Sequence, residues 1–219
     1  MSQDVTAIGG TETIDFGGLA IEFDDTILRP RAWTAEQSAW AVEVLADGPP
    51  GPVLELCTGA GHIGLLSVLG NGRHLVAVDA NPDACAYARK NAVAAGLAAQ
   101  VDVRVGLVEG ALRPDERFAA VIADPPWVPH DRVGVYPEDP LLAIDGGLDG
   151  LDIARSCVEV AGQHLADGAS LILQLGATVQ AESIREWLAS HHALGMSVVA
   201  VRVHPGQGVL LRIVRTAAA

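Results

Sequence analysis

Apolar residues in this chain fall in short blocks separated by polar and glycine-rich stretches, and the period inside the blocks changes along the sequence. Residues 13–28, TIDFGGLAIEFDDTIL, alternate around Gly17-Gly18 and predict a small hairpin. Thr34 and Gln37 form a capping-box pattern before SAWAVEVLA, so a helix is expected from about Ala35. From Gly51 onward, continuous apolar runs of strand length alternate with helical spacing. PVLEL (52–56) and HLVAVD (74–79) read as buried strands, with HIGLLSVLG as a helix between them. Asn81 and Pro82 then open a helix that Gly96 closes. QVDVRV (100–105) and FAAVIA (118–123) are the next strands. Asp149 and Asp152 are expected to cap a helix reaching about Leu165, followed by the strand ASLILQLG (169–176) and the helix TVQAESIREWLASH. The blocks flanking HPGQG predict two closing strands joined by a turn. This alternation implies a doubly wound α/β fold: a mostly parallel sheet, helices on both faces, and an antiparallel strand at the C-terminal end. Residues 1–48 are read as a hairpin and helix belonging to the same domain as the α/β body at 49–219.

Composition narrows the classes of partner. The 219 residues include 14 Lys and Arg against 27 Asp and Glu, a formal charge of −13. Such a balance disfavours a general nucleic-acid or anionic-membrane surface, where positive charge drives binding. It suits a basic or a small-molecule partner. Cys57, Cys85 and Cys157 are far apart, with no C-x-x-C pair, which points to a reducing cytoplasm. MSQDVTAIGG lacks the basic-then-apolar pattern of an export signal, and no apolar run has the length of a membrane helix. A cytoplasmic protein without a resident metal is expected, since the histidines are scattered and show no ligand spacing.

Two stretches carry chemistry. In VLELCTGAGHIG, Gly59, Gly61 and Gly64 satisfy G-x-G-x-x-G between a strand and a helix, and Asp79 ends the next strand. By spacing alone this is a dinucleotide fingerprint, and an NAD-binding oxidoreductase is one reading. Small residues that merely let the helix pack on the sheet are another. Glu55, on the strand itself and two residues before Cys57, bears on the choice. A carboxylate there would repel a pyrophosphate but attract the ammonium group of S-adenosylmethionine (SAM). Asp79 would accept ribose hydroxyls in either case. The second stretch is IADPPWVPH (122–130), where a strand ends on an acid and two prolines. An NH₂ group could donate one hydrogen bond to Asp124 and another to the Pro125 carbonyl, while Pro126 has no N–H to compete. Trp127 offers a flat face to an amide, base or ammonium. Such a set suits a nitrogen nucleophile and has no evident use in hydride transfer.

These motifs resemble those of class I SAM-dependent methyltransferases, and more narrowly the HemK/PrmC-like protein-glutamine N-methyltransferases. RPRAWTAEQ is similar to that family's opening Pro-Arg-Pro segment, LELCTGAGHIG to its glycine loop, and VDANPDACAYARKNA to its second-strand acid and helix. DPPWVP stands where the family has Asn-Pro-Pro-Tyr, and AIDGGLDGLDIAR (143–155) is close to its Gly-Gly-x-x-Gly segment. HPGQGVLLRIVR resembles the end of the short family members, which lack an N-terminal helical domain and often work with a small partner subunit. The resemblance implies a seven-stranded sheet, SAM as methyl donor, and methylation of a glutamine amide in release factors. It implies substrate contacts at Asp124, Pro125, Pro126 and Trp127. It implies SAM contacts at Glu55, Gly59, Gly61 and Asp79, with Thr34 near the methionine end; Cys57, His62, Ala80 and Asp124 complete the candidate cofactor set. His130 and Tyr136 are candidates for the acceptor side, in a lid rich in Pro and Gly.

Departures from the pattern keep the acceptor open. Asp replaces Asn at 124, Trp replaces Tyr at 127, and VGLVEG (105–110) lacks an acid for the adenine, leaving Leu107 or Val108 to pack on it. An ionised Asp can hold an amide, an exocyclic amine or a protonated amine. The alternatives are therefore a small-molecule amine or adenine N-methyltransferase, an NAD-binding oxidoreductase, and a non-catalytic SAM-binding module.

Overall fold

Residues 10–215 are described, in a computed structural model; the stretch read for an export signal falls at 1–9, outside them, apart from Gly10. Strands β1 (Glu12–Phe16) and β2 (Leu19–Phe23) form the expected antiparallel hairpin, turning at Gly17-Gly18. Its alternate residues Ile14, Phe16, Leu19, Ile21 and Phe23 are all buried, as period-two patterning requires of a sheet with one covered face. Helix α1 (Ala35–Ala46) follows.

The main sheet contains β3 (Val53–Leu56), β4 (Leu75–Asp79), β5 (Val101–Val105), β6 (Phe118–Ala123), β7 (Leu165–Leu175), β8 (Met196–His204) and β9 (Gly208–Arg215). Their order is β5-β4-β3-β6-β7-β9-β8, and β9 runs antiparallel to both neighbours while the other pairs are parallel. Every residue of β3 and β6 is buried, which matches their unbroken apolar runs. One apolar core packs the hairpin, α1, α2 (His62–Val68) and α3 (Pro82–Ala94) on one face; the other packs α5 (Asp152–His164) and α6 (Thr178–Ser190) on the opposite face. Among the described residues no helix is long and apolar enough to cross a membrane.

The chain lays β3, β4 and β5 outward to one edge, then returns to place β6 on the other side of β3. The loops leaving β3 and β6 therefore diverge. That switch point is where an open α/β sheet offers a crevice at its carboxyl edge.

Three local expectations need correction. Thr34 precedes α1, but its hydroxyl donates to the Arg31 carbonyl at 2.8 Å rather than capping the helix. Gln37 is fully buried, and its Nε2 donates to the carbonyls of Ala123 (2.9 Å) and Ile172 (3.0 Å), across the gap between β6 and β7. The supposed capping box is thus a strap from α1 to the sheet. Asp149 and Asp152 do not sit at the N-cap of α5, which is Leu151; Asp149 accepts from the Leu151 N–H, and Asp152 is the first helical residue. Strand β7 begins at Leu165, directly after α5, rather than at Ala169.

Candidate active site

A cavity of about 720 Å³ opens at the carboxyl edge of β3, β4 and β6, a size suited to a cofactor with room for a second reactant. The glycine loop forms one wall. Cys57 and Gly59 take left-handed backbone angles (φ 59° and 52°), turning the chain sharply off β3. No atom stands within 4 Å of where a Gly59 Cβ would be, so the loop backbone is open to close approach by a ligand. Gly61 (φ 81°) serves a different end. It does not line the cavity, and its missing Cβ lets α2 approach α3, where Ala88 Cβ would lie 3.1 Å away.

Glu55 also departs from expectation. Its carboxylate does not reach the cavity. It is turned beneath the loop, where it accepts the Gly64 N–H at 2.7 Å and the Thr58 hydroxyl. A Cβ at Gly64 would overlap this carboxylate, which explains the third glycine of the motif. Glu55 thus shapes the loop from beneath it. Burial holds its carboxyl up at about 7.

The remaining cofactor candidates converge. Thr34, Cys57, Gly59, His62, Asp79, Ala80 and Asp124 all line the cavity. Asp79 accepts from the backbone N–H of Gly59 (2.8 Å) and Asn81 (2.9 Å), one bond to each oxygen, leaving further lone pairs for a ligand's hydroxyls. His62 is buried against the edge of Phe16, and its Nδ1 has no hydrogen-bond partner. Burial lowers its pKa to about 3, so the ring is neutral and adds no charge opposing a sulfonium. Leu107 and Val108 also line the cavity, beyond β5. An open backbone cradle, a carboxylate with spare acceptors and a neutral buried imidazole fit SAM.

The proline loop forms the facing wall. Asp124, Pro125, Pro126 and Trp127 all line the cavity. Asp124 is partly buried and has no hydrogen bond among the described residues; desolvation raises its carboxyl to about 7, and the charge of Arg31 opposes that rise. The indole of Trp127 lies on Gly176, where a Cβ would come within 2.2 Å of the ring. The Trp127 carbonyl accepts Gln180 Nε2 at 2.8 Å, and the same amide's oxygen accepts the Gly176 N–H at 3.0 Å. The loop's position is therefore set by β7 and α6 as well as by its prolines.

The Gly-Gly segment closes over this loop. Val128 N–H donates to the Ile144 carbonyl, Gly146 N–H to the Val128 carbonyl, and His130 N–H to the Gly147 carbonyl, at 2.8–2.9 Å. Gly146 and Gly150 have no room for a side chain, because the Pro126 and Trp127 carbonyls stand 2.7 Å and 2.4 Å from where their Cβ atoms would be. Tyr136 lines the cavity, together with Leu141 and Leu142 from the short helix α4 (Leu141–Ile144). His130 does not: its ring is exposed and pairs with Asp145 at 2.7 Å. Sequence reading missed Arg31 and Gln174, which also line the cavity. Arg31 lies in the RPRAWTAEQ segment that pointed only to Thr34, and Gln174 is a lone polar residue in the run LILQL.

Residues 36–136 match the methyltransferase small domain family. That match spans a little under half of the chain, and the fold is shared with solved methyltransferases. The chain is similar in sequence to protein-glutamine methyltransferases. It is 35% identical over 172 residues to the release factor glutamine methyltransferase of Deinococcus radiodurans, covering 75% of this chain and 60% of that protein. It is 32% identical over 170 residues to the ribosomal protein uL3 glutamine methyltransferase of Burkholderia pseudomallei, covering 70% and 54%. The chain thus spans a little over half the length of these curated relatives. Among solved structures, the hMettl16 catalytic domain in complex with an RNA hairpin superposes with a TM-score of 0.72 at 14% identity, over 92% of this chain and 77% of that one, which shows the shared fold. Both curated relatives are methyltransferases, and neither is an NAD-binding oxidoreductase.

Proposed function

We propose that this chain is a SAM-dependent N-methyltransferase whose acceptor is an amide or amino nitrogen held by the Asp-Pro-Pro-Trp loop, in the manner of its glutamine-methylating relatives. The observation that carries this reading is an unpartnered carboxylate, Asp124, facing the same cavity as the open Gly59 backbone and Asp79. When bound, SAM supplies an electrophilic methyl carbon on a positively charged sulfur. The chain's own part is to orient the acceptor. Asp124 accepts one N–H and the Pro125 carbonyl a second, so the nitrogen lone pair is aimed rather than free to rotate. The prolines fix that carbonyl beforehand, which reduces the ordering needed when the acceptor arrives. Forming the N–C bond would break the methyl–sulfur bond, leave a neutral thioether, and require the nitrogen to shed a proton. Asp124, with its carboxyl near 7, takes that proton and releases it to solvent.

The test is a panel of acceptors incubated with SAM: a glutamine peptide from a release factor or from ribosomal protein uL3, a lysine-rich peptide, an adenine nucleotide and small amines. The expected product is one methyl group added to nitrogen. Asp124→Ala is expected to slow turnover about a hundredfold, a larger effect than any fall in SAM affinity measured by calorimetry. An unchanged rate in that variant would refute the role given to the loop. Turnover by the chain alone would show that the small partner subunit implied by the resemblance is not required.

A further inference from the structure

Gln174 is a polar residue in the cavity that neither motif accounts for. It lies on β7, 3% exposed, and its side chain reaches the cavity wall. Its Oε1 is sealed from solvent without a hydrogen-bond partner, and its Nε2 is neither sealed nor bonded among the described residues, so the end of the amide that faces the cavity is the donor. A buried amide left in that state is costly to keep in the run LILQL, otherwise made of Leu and Ile. Its position is set by the sheet. Strands β6 and β7 run parallel with Ala123 beside Leu173, so the next residues on each strand, Asp124 and Gln174, stand side by side. The alternation of the strands fixes the face. Ile122 and Ile172 pack in the core under α1, whereas Ala123 and Leu173 pack in the opposite core. Asp124 and Gln174 therefore both project toward α1, whose Gln37 strap bonds the carbonyls of Ala123 and Ile172 just below them.

We infer that Gln174 is a specificity-determining residue, forming with Asp124 a two-sided clamp for a primary carboxamide. This rests on the proposed methyl transfer to nitrogen. The two side chains are chemically complementary to such a group. An ionised Asp124 only accepts hydrogen bonds, and an amide side chain can donate. A carboxamide presents an NH₂ to the first and a C=O to the second. An ammonium group satisfies Asp124 but brings N–H against the Nε2 end of Gln174, and only an end-for-end turn of the amide would offer it the Oε1. The clamp thus separates two acceptors that Asp124 alone would serve equally. Replacing the amide by a carboxylate of the same shape reverses the preference, because both walls then accept.

The experiment compares two peptides identical except for glutamine or lysine at one position, with wild-type, Gln174→Met and Gln174→Glu chains. Wild type is expected to favour the glutamine peptide in kcat/KM. Gln174→Met is expected to lose about ten- to a hundredfold on it, the scale of one buried hydrogen bond, with SAM affinity unchanged within about twofold. Gln174→Glu is expected to move the glutamine-to-lysine ratio toward lysine, a reversal that a loss of packing alone would not produce. Binding of the glutamine peptide in the presence of a non-reactive SAM analogue, measured by calorimetry, gives an arm independent of turnover. If both variants bind and methylate the glutamine peptide as wild type does, or if Gln174→Glu lowers both peptides equally, Gln174 does not set specificity. If wild type methylates neither peptide nor any other nitrogen acceptor, the proposed methyl transfer fails instead; the binding arm still judges the clamp.

Discussion

At the scale of single residues, two carboxyl groups hold opposite relations to the cavity. Glu55 and Asp124 are each raised to about 7 by burial, yet Glu55 is spent on the loop's own N–H and O–H donors while Asp124 faces the cavity without one. Asp124 is the group free to act on a ligand, and its titration should be visible. Methyl transfer that needs the ionised form is expected to rise with pH through about 7 in kcat/KM for the acceptor, and Asp124→Asn should flatten that limb. Saturating SAM brings a cation into the cavity, so the limb in kcat should lie lower. Stability moves the other way. A carboxyl whose folded pKa lies above its unfolded value of 3.8 contributes stability that is present below that value and lost as pH rises through about 7. Asp124→Asn in the ligand-free chain should therefore stabilise by about 2 kcal/mol at pH 8, after allowance for solvent in the cavity. It should change little near pH 4, as read from Tm at the two values. The sequence exposed the identity of these acids but not their directions. Strand position placed Glu55 and Asp124 at the carboxyl edge, whereas only the packing of Thr58 and Gly64 around Glu55 turned it from the cavity. Gln174 escaped notice because one amide in an apolar strand has no pattern around it.

Among elements, the acceptor side is assembled by three segments that share no periodicity. The proline loop leaves β6, the Gly-Gly segment docks on it through backbone bonds, and Gly176 at the end of β7 supplies a flat seat for the Trp127 indole. Gly176→Ala would place a methyl group about where the ring now lies, and the indole would have to shift. The expected result is a fall in kcat/KM for the acceptor of about tenfold or more, with SAM affinity and the far-ultraviolet spectrum retained. Equal losses in SAM affinity would mean that the seat supports the whole cavity rather than the acceptor wall. The contrast with the sheet explains what could be read beforehand. Strands β3, β4 and β6 announced themselves through apolar runs, and α3 through Asn81 accepting the Asp83 N–H ahead of Pro82. The turn of 3₁₀ helix at His130–Val135 and the four residues of α4 carry few buried side chains, so no hydrophobic spacing marked them. The capping box misled because Gln37 is polar in sequence but fully buried in the fold, and its amide went to the sheet's carbonyls.

For the molecule as a whole, the question is whether the hairpin at the N-terminus is an appendage or part of the catalytic body. Ile14, Phe16, Leu19, Ile21 and Phe23 lie in one continuous core with residues of α1, α2 and α3. Asn91 of α3 ties into β2 by exchanging bonds with Glu22, its Oδ1 accepting the backbone N–H at 2.8 Å and its Nδ2 donating to the carbonyl at 2.9 Å. The same Nδ2 also donates to the Ala60 carbonyl of the glycine loop at 2.9 Å. Phe16 meets the His62 ring edge-on, with centroids 4.8 Å apart, and His62 lines the cavity. The hairpin is thus mechanically continuous with the cofactor wall. Phe16→Ala should cost about 3–5 kcal/mol, the usual range for a buried aromatic, in a single unfolding transition that fluorescence and circular dichroism report together. Because the cavity it leaves adjoins His62, SAM affinity should fall as well, even at a temperature where the variant is fully folded. Two separate transitions, or a destabilised variant with wild-type SAM affinity, would mean that the hairpin folds and functions apart from the sheet. The network argues against that outcome, since the hairpin and the glycine loop are both bonded to Asn91 and Phe16 packs on His62.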